Sequence, residues 1–167
     1  LKFKFKLEVT KMIKPSEITG SSTSALMTVG TRMVDEDGNI LEYVLIDASS
    51  DAATAGMAFY RTATQGTVSN DMTGGNGLAN ASAGVAVAAI AVSSYGFIIV
   101  DGYYADVLKT TGAITANDEI RGSTTDGRVV TGGATWTANQ SLGGIFGIAY
   151  ETVTAAITTI GMTIDCV

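Results

Sequence analysis

Histidine is absent from this 167-residue chain, cysteine and proline occur once each, and only 16% of residues carry charge. Without an imidazole the commonest general base and metal ligand is missing, so Ser-His-Asp and Cys-His arrangements are excluded. The single cysteine, Cys166, allows no intrachain disulfide, fits a protein made in a reducing cytosol, and reads as a small apolar strand residue. With one proline, the turns fall to the 20 glycines together with Asn and Asp. No window holds apolar residues at sustained helical spacing, so helix is expected to be sparse. A charged fraction well below the usual value of about a quarter implies a surface partly covered by a partner. The net charge of −6 argues against nucleic acid, whose phosphates demand clustered Lys and Arg. The longest apolar run, Ala83 to Val100, is broken by Ser93, Ser94, Tyr95 and Gly96. It reads as two buried strands joined at a turn, not as a membrane span, and no membrane partner is expected.

What is present is strand-like. The opening "KFKFKLEVT" alternates with period two, setting Phe3, Phe5, Leu7 and Val9 on one face and Lys2, Lys4 and Lys6 on the other. A secretory segment would run continuously apolar instead. Residues 12–24 hold Pro15, Gly20 and several hydroxyl side chains, and read as a linker. The expected organisation is an N-terminal β arm and linker over 1–24 and a β-rich domain over 25–167. Within that domain "ALMTVGTRMV" and "ILEYVLIDA" flank the turn "DEDGN", a hairpin signal, and "GMAFYRT" suits a strand. Residues 65–82, rich in Gly, Asn and Ser, are expected to form a long mobile loop. From Gly84 on, short strand candidates recur with turns between them: "GVAVAAIAV", "YGFIIVDG", "YADVLKT", "DEIRGST", "GRVVTG", "GGIFGIAYET" and "AITTIGMTIDCV". That spacing predicts an all-β sandwich or barrel.

Chemistry finds little purchase. No P-loop or dinucleotide fingerprint is present, and "TGGNG" at Thr73–Gly77 lacks the lysine and helix a nucleotide loop requires. Asp35, Asp37 and Asn39 alternate like the start of a calcium loop, but Gly38 precedes the third ligand and Ile46 stands where the bidentate acid belongs. A hairpin turn accounts for them more simply. Asp118 and Glu119 are adjacent, so a strand would point them to opposite faces. Trp136 with Tyr103, Tyr104 and Phe146 is a candidate aromatic platform for sugars, set against the plainer reading as core or subunit interface. No catalytic residue, cofactor or metal site is assigned, and an enzyme is not expected.

The second half has a recognisable order of features: Tyr95-Gly96-Phe97, Asp101-Gly102, Gly112 to Ile120, Asp126-Gly127-Arg128-Val129, and Phe146-Gly147-Ile148-Ala149. This order resembles small bacteriophage capsid decoration (cement, or capsid-fibre) proteins, most strongly over 84–167. Asn117 precedes Asp118 where the family usually has glycine, a mild departure because Asn tolerates the left-handed conformation. The Lys-rich first strand has no counterpart in the family.

The resemblance implies a virion protein on the outer surface of a capsid, often a trimer, that clamps neighbouring major capsid protein subunits. The N-terminal arm is expected to add as a strand to an edge on the capsid protein or a sister subunit, with Phe3, Phe5 and Leu7 in an apolar groove and Lys2, Lys4 and Lys6 facing acidic surface or solvent. An ordinary first strand of the core domain is the competing reading of the same residues. Two other functional classes stay open: a host-facing adhesin or fibre-base protein binding glycans, and a self-assembling tail or virion subunit.

Overall fold

The computed structural model describes residues 21–71, 77–132 and 144–166. These residues hold ten strands and no helix: β1 (Arg32–Val34), β2 (Ile40–Ile46), β3 (Ala58–Thr62), β4 (Thr67–Ser69), β5 (Gly77–Ala86), β6 (Tyr95–Leu108), β7 (Glu119–Gly122), β8 (Val129–Thr131), β9 (Ile145–Ala149) and β10 (Thr159–Asp165). The molecule is all-β, as the alternation and the β-branched content of these segments predict.

Five strands close on themselves. β2 pairs with β4 in parallel, and β4–β3, β3–β5, β5–β6 and β6–β2 are antiparallel, giving a small barrel without a free edge. Its interior is filled by Val44, Ile46, Phe59, Val68, Ala83, Ala86, Ile98 and Val100, with Ile90 and Ala53 at one end. The intervening residues of the same strands, Leu41, Ala58, Tyr60, Val85 and Ile99, point outward into a second core. Both faces of these strands are therefore buried, which is why "ILEYVLI" and "GFIIV" are nearly continuous apolar runs.

β6 links the two cores. Its first half lies in the barrel, and from Asp101 on it pairs with β10, which continues through β9 and β7 to β8. A parallel bridge between Lys109 and Val129 returns β8 to the end of β6, so a second ring shares that strand with the first. Val107, Ile114, Ile120, Val129, Phe146, Ile160, Met162 and Ile164 meet the outward face of the barrel there. Tyr60 of β3 packs edge-on against Phe146 of β9, with ring centroids 5.2 Å apart. Each such fully buried side chain stabilises by about 1.5–3 kcal/mol relative to exposure. Burial raises the Tyr60 phenol above its ordinary pKa, and its hydroxyl has no hydrogen-bond partner among the described residues.

Several local expectations are corrected. The stretch 65–82 is not one long loop, since it contains β4 and the start of β5. Two of its small polar side chains are core parts: Ser69 and Asn70 are fully buried, Ser50 Oγ donates to Ser69 Oγ (2.9 Å), and Asn70 Oδ1 accepts the Asp51 N–H (2.9 Å). Asp101-Gly102 does not separate two strands; β6 runs through it. Gly102 takes φ +125°, and a Cβ there would stand 2.1 Å from Asn39 Oδ1, the atom that accepts the Tyr103 N–H. The strand expected across 25–34 is formed only by Arg32–Val34, and "GVAVAAIAV" is strand only as far as Ala86.

The chain is bound to the body from Ser22, which exchanges backbone hydrogen bonds with Tyr95 (3.1 and 2.8 Å). Leu26 N–H donates to Tyr43 Oη (3.1 Å), and Tyr43 stacks on Tyr95 at 5.8 Å.

Candidate interaction surface

The acidic turns have structural roles. Asp35 is buried; its Oδ1 accepts the N–H groups of Asp37 (2.9 Å) and Asn39 (2.8 Å), and its Oδ2 accepts Asn39 Nδ2 (3.0 Å). That Asx-type turn closes the β1–β2 hairpin, the arrangement "DEDGN" suggests. Asn117 sits at φ 71°, and Asp118 Oδ2 accepts the Thr115 N–H (2.9 Å), turning the chain into β7. Asp126-Gly127 forms the β7–β8 turn, where the Gly127 carbonyl accepts from Ala58 N–H (3.0 Å). Among the described residues, no group of three or more Cys, Asp or Glu side chains is placed to hold a metal ion. Burial pushes the Cys166 thiol up to about 11, which favours the protonated form at neutral pH.

The expected sugar platform does not assemble. Phe146 is fully buried, Tyr103 and Tyr104 are successive strand residues on opposite faces, and Trp136 lies outside the described residues. Lys2, Phe3, Lys4, Phe5, Lys6 and Leu7 also lie outside them.

A different set of side chains comes together on the outer face of β6, β10 and β9. The register aligns Tyr103 with Thr163, Thr163 with Ile148, and Ile148 with Glu119, so these four form one row across the sheet. Tyr150 adds to it through an edge-to-face contact with Tyr103, centroids 5.3 Å apart. Tyr150 is 71% exposed, Ile148 53%, Ile145 46% and Tyr103 45%. A shallow cavity of about 280 Å³ lies beside the row, between Ile145 and Ile148, with Glu119 and Asp165 at its rim. The surface is thus apolar and aromatic at its centre and acidic at its edge.

Gly147 creates this surface. Strict alternation from the buried Phe146 would carry Ile148 and Tyr150 inward. Instead β9 holds an extra residue against β7, where Ile120 pairs with Gly147 but Arg121 with Ile145. Gly147 adopts φ +150°, and a Cβ on it would lie 1.7 Å from the Thr163 carbonyl oxygen. This bulge reverses the facing of the residues beyond it, so Ala149 is buried while Ile148 and Tyr150 are exposed.

A larger cleft, about 780 Å³, is lined by Arg32, Glu42, Arg61, Ser82, Asp165 and Cys166 among others. Arg61 donates to both Glu42 carboxylate oxygens, Nη2 to Oε2 at 3.0 Å, and Arg32 Nε adds a bond of 3.1 Å. Burial alone would raise the Glu42 pKa. The hydrogen bonds and charge of Arg61, then those of Arg32, outweigh it and hold the carboxyl below the ordinary glutamate value. Glu42 and its two arginines therefore satisfy one another.

The fold is a closed five-stranded β-barrel with additional strands, and it carries an exposed aromatic-aliphatic face. No protein-family model and no curated protein matches the chain.

Proposed function

We propose that this protein is a non-enzymatic virion component that binds the outside of an assembled bacteriophage capsid and clamps neighbouring major capsid protein subunits, acting as a homotrimer. The observation that supports the proposal is the exposed row Tyr103, Ile148 and Tyr150, built by the part of the chain whose order of turns resembles decoration proteins. An apolar centre with an acidic rim suits a protein partner, because desolvation of the centre drives association and the rim selects orientation. The N-terminal arm supplies a second attachment, with Phe3, Phe5 and Leu7 entering a groove and Lys2, Lys4 and Lys6 facing acidic surface. Stabilisation comes by linkage: a ligand that binds only the assembled shell raises that shell's resistance to heat and internal pressure. Trimer multivalency makes weak single contacts long-lived.

The test is capsid heat resistance with and without the protein. Empty capsids of the virus that encodes it should lose their shell at a lower temperature when it is stripped away, and re-addition should restore them. Protein carrying Ile148→Lys and Tyr150→Lys should remain folded and fail to restore them. Unchanged capsid heat stability after stripping would overturn the proposal.

A further inference from the structure

On the flank of the second ring, apart from the apolar row, lies a cavity of about 360 Å³ lined by Lys109, Thr110, Thr125, Arg128, Ile157 and Thr158 among others. No carboxylate lines it. Lys109 is only 1% exposed, an unusual depth for a lysine. Its Nζ donates to the carbonyls of Thr110 (3.1 Å) and Gly112 (2.7 Å), which occupies two of its three N–H groups. Arg128 Nη1 donates to the Lys109 carbonyl (2.8 Å), which brings the guanidinium to the same wall. Among the described residues, neither Lys109 nor Arg128 forms an ion pair, unlike Arg32 and Arg61 with Glu42. Burial holds the Lys109 ammonium below the ordinary lysine pKa, in keeping with a charge removed from water and given no anion.

A sequestered cation without a carboxylate is costly unless something neutralises it, and Glu42 between Arg61 and Arg32 shows how the rest of the molecule handles such charges. The polar side chains of the lining residues, an ammonium, a guanidinium and threonine hydroxyls, can all donate hydrogen bonds. The volume exceeds that of a single anion, and the apolar side of Ile157 would lie against its substituent.

We infer that the cavity between Lys109 and Arg128 is a binding site for a small oxyanion, either a phosphate or a carboxylate. The ammonium neutralises the charge, the guanidinium takes two oxygens in parallel, and the threonines take the remainder. The site is independent of the capsid-facing surface, and its test does not involve capsids.

The test titrates the intact protein with inorganic phosphate, and separately with acetate, at constant ionic strength set by chloride. Amide resonances are followed by NMR and the melting temperature by heating. Saturable shifts at Thr110, Thr111, Thr125 and Arg128, with a rise in melting temperature, are the expected result. Response to phosphate alone identifies a phosphate site, and response to acetate identifies a site for a carboxylate. Arg128→Gln should weaken binding roughly tenfold or more, as expected for loss of a charge-assisted bidentate contact. Lys109→Met should abolish it. Should Lys109→Met fail to fold, the wild-type titration and Arg128→Gln still decide the matter. Shifts that fail to saturate, or that respond equally to added chloride, would overturn the inference, as would unchanged affinity in Arg128→Gln.

Discussion

Glu42 illustrates how a single side chain acquires its role from its neighbours. It sits in "ILEYVLI", where the flanking residues enter one core or the other, and its own position parallels Val44 and Ile46 of the barrel interior. A carboxylate there is tolerable because Arg61 and Arg32 converge on it. Glu42→Gln should destabilise the protein by about 2–3 kcal/mol at neutral pH, since it leaves two partly exposed guanidinium groups without their anion. The pH dependence has a definite sign. The folded-state pKa is depressed, so the stabilisation is fully present above the unfolded value of 4.5 and is lost as pH falls through the lower folded value. Urea unfolding at pH 7 and at about pH 3 should show the gap between wild type and variant narrowing in acid. A gap that stays constant would place the destabilisation in packing alone. None of this is legible in the sequence: an isolated Glu in a strand reads as solvated surface, and Arg61 lies 19 positions away.

Strand β9 shows the same dependence on context along a whole element. "IFGIAY" announces a strand, and one forms over Ile145–Ala149. Which residues face water depends on the bulge at Gly147, and a bulge exists only relative to a paired strand. Gly147→Ala would add a Cβ within 1.7 Å of the Thr163 carbonyl and force an alanine to φ +150°. It should cost about 2–4 kcal/mol, readable by urea unfolding, and should also lower the exposure of Tyr150 to fluorescence quenchers as the strand slips back towards strict alternation. A variant of unchanged stability would mean that the bulge is not what sets the facing. In β6 the expected turn at Asp101-Gly102 proved to be a continuous strand, with Gly102 at positive φ inside it. The Gly/Asn/Ser stretch misled for a related reason. Small polar residues mark loops by composition, yet Ser69 and Asn70 satisfy the polar groups beside them inside a narrow core.

Taken as a whole, the described residues form two rings of strands sharing β6. Because both rings are completed by residues from Arg32 onward, deleting residues 1–11 should leave the melting temperature within about 2 °C of wild type while removing capsid binding. Unfolding of the truncated protein, seen by circular dichroism, would instead assign those residues to the core. The period-two patterns, the turn residues and the lack of helical spacing were enough to specify an all-β molecule and to place the β1–β2 and β7–β8 turns, because those depend on side chains close together along the chain. The absence of histidine likewise excluded Ser-His-Asp and Cys-His arrangements. Closure of the barrel, the double use of β6, the outward facing of Ile148 and Tyr150, and the meeting of Lys109 with Arg128 were decided only in three dimensions. Each depends on which distant strand supplies the opposing hydrogen bonds, and a strand's own sequence does not encode the identity of its neighbour.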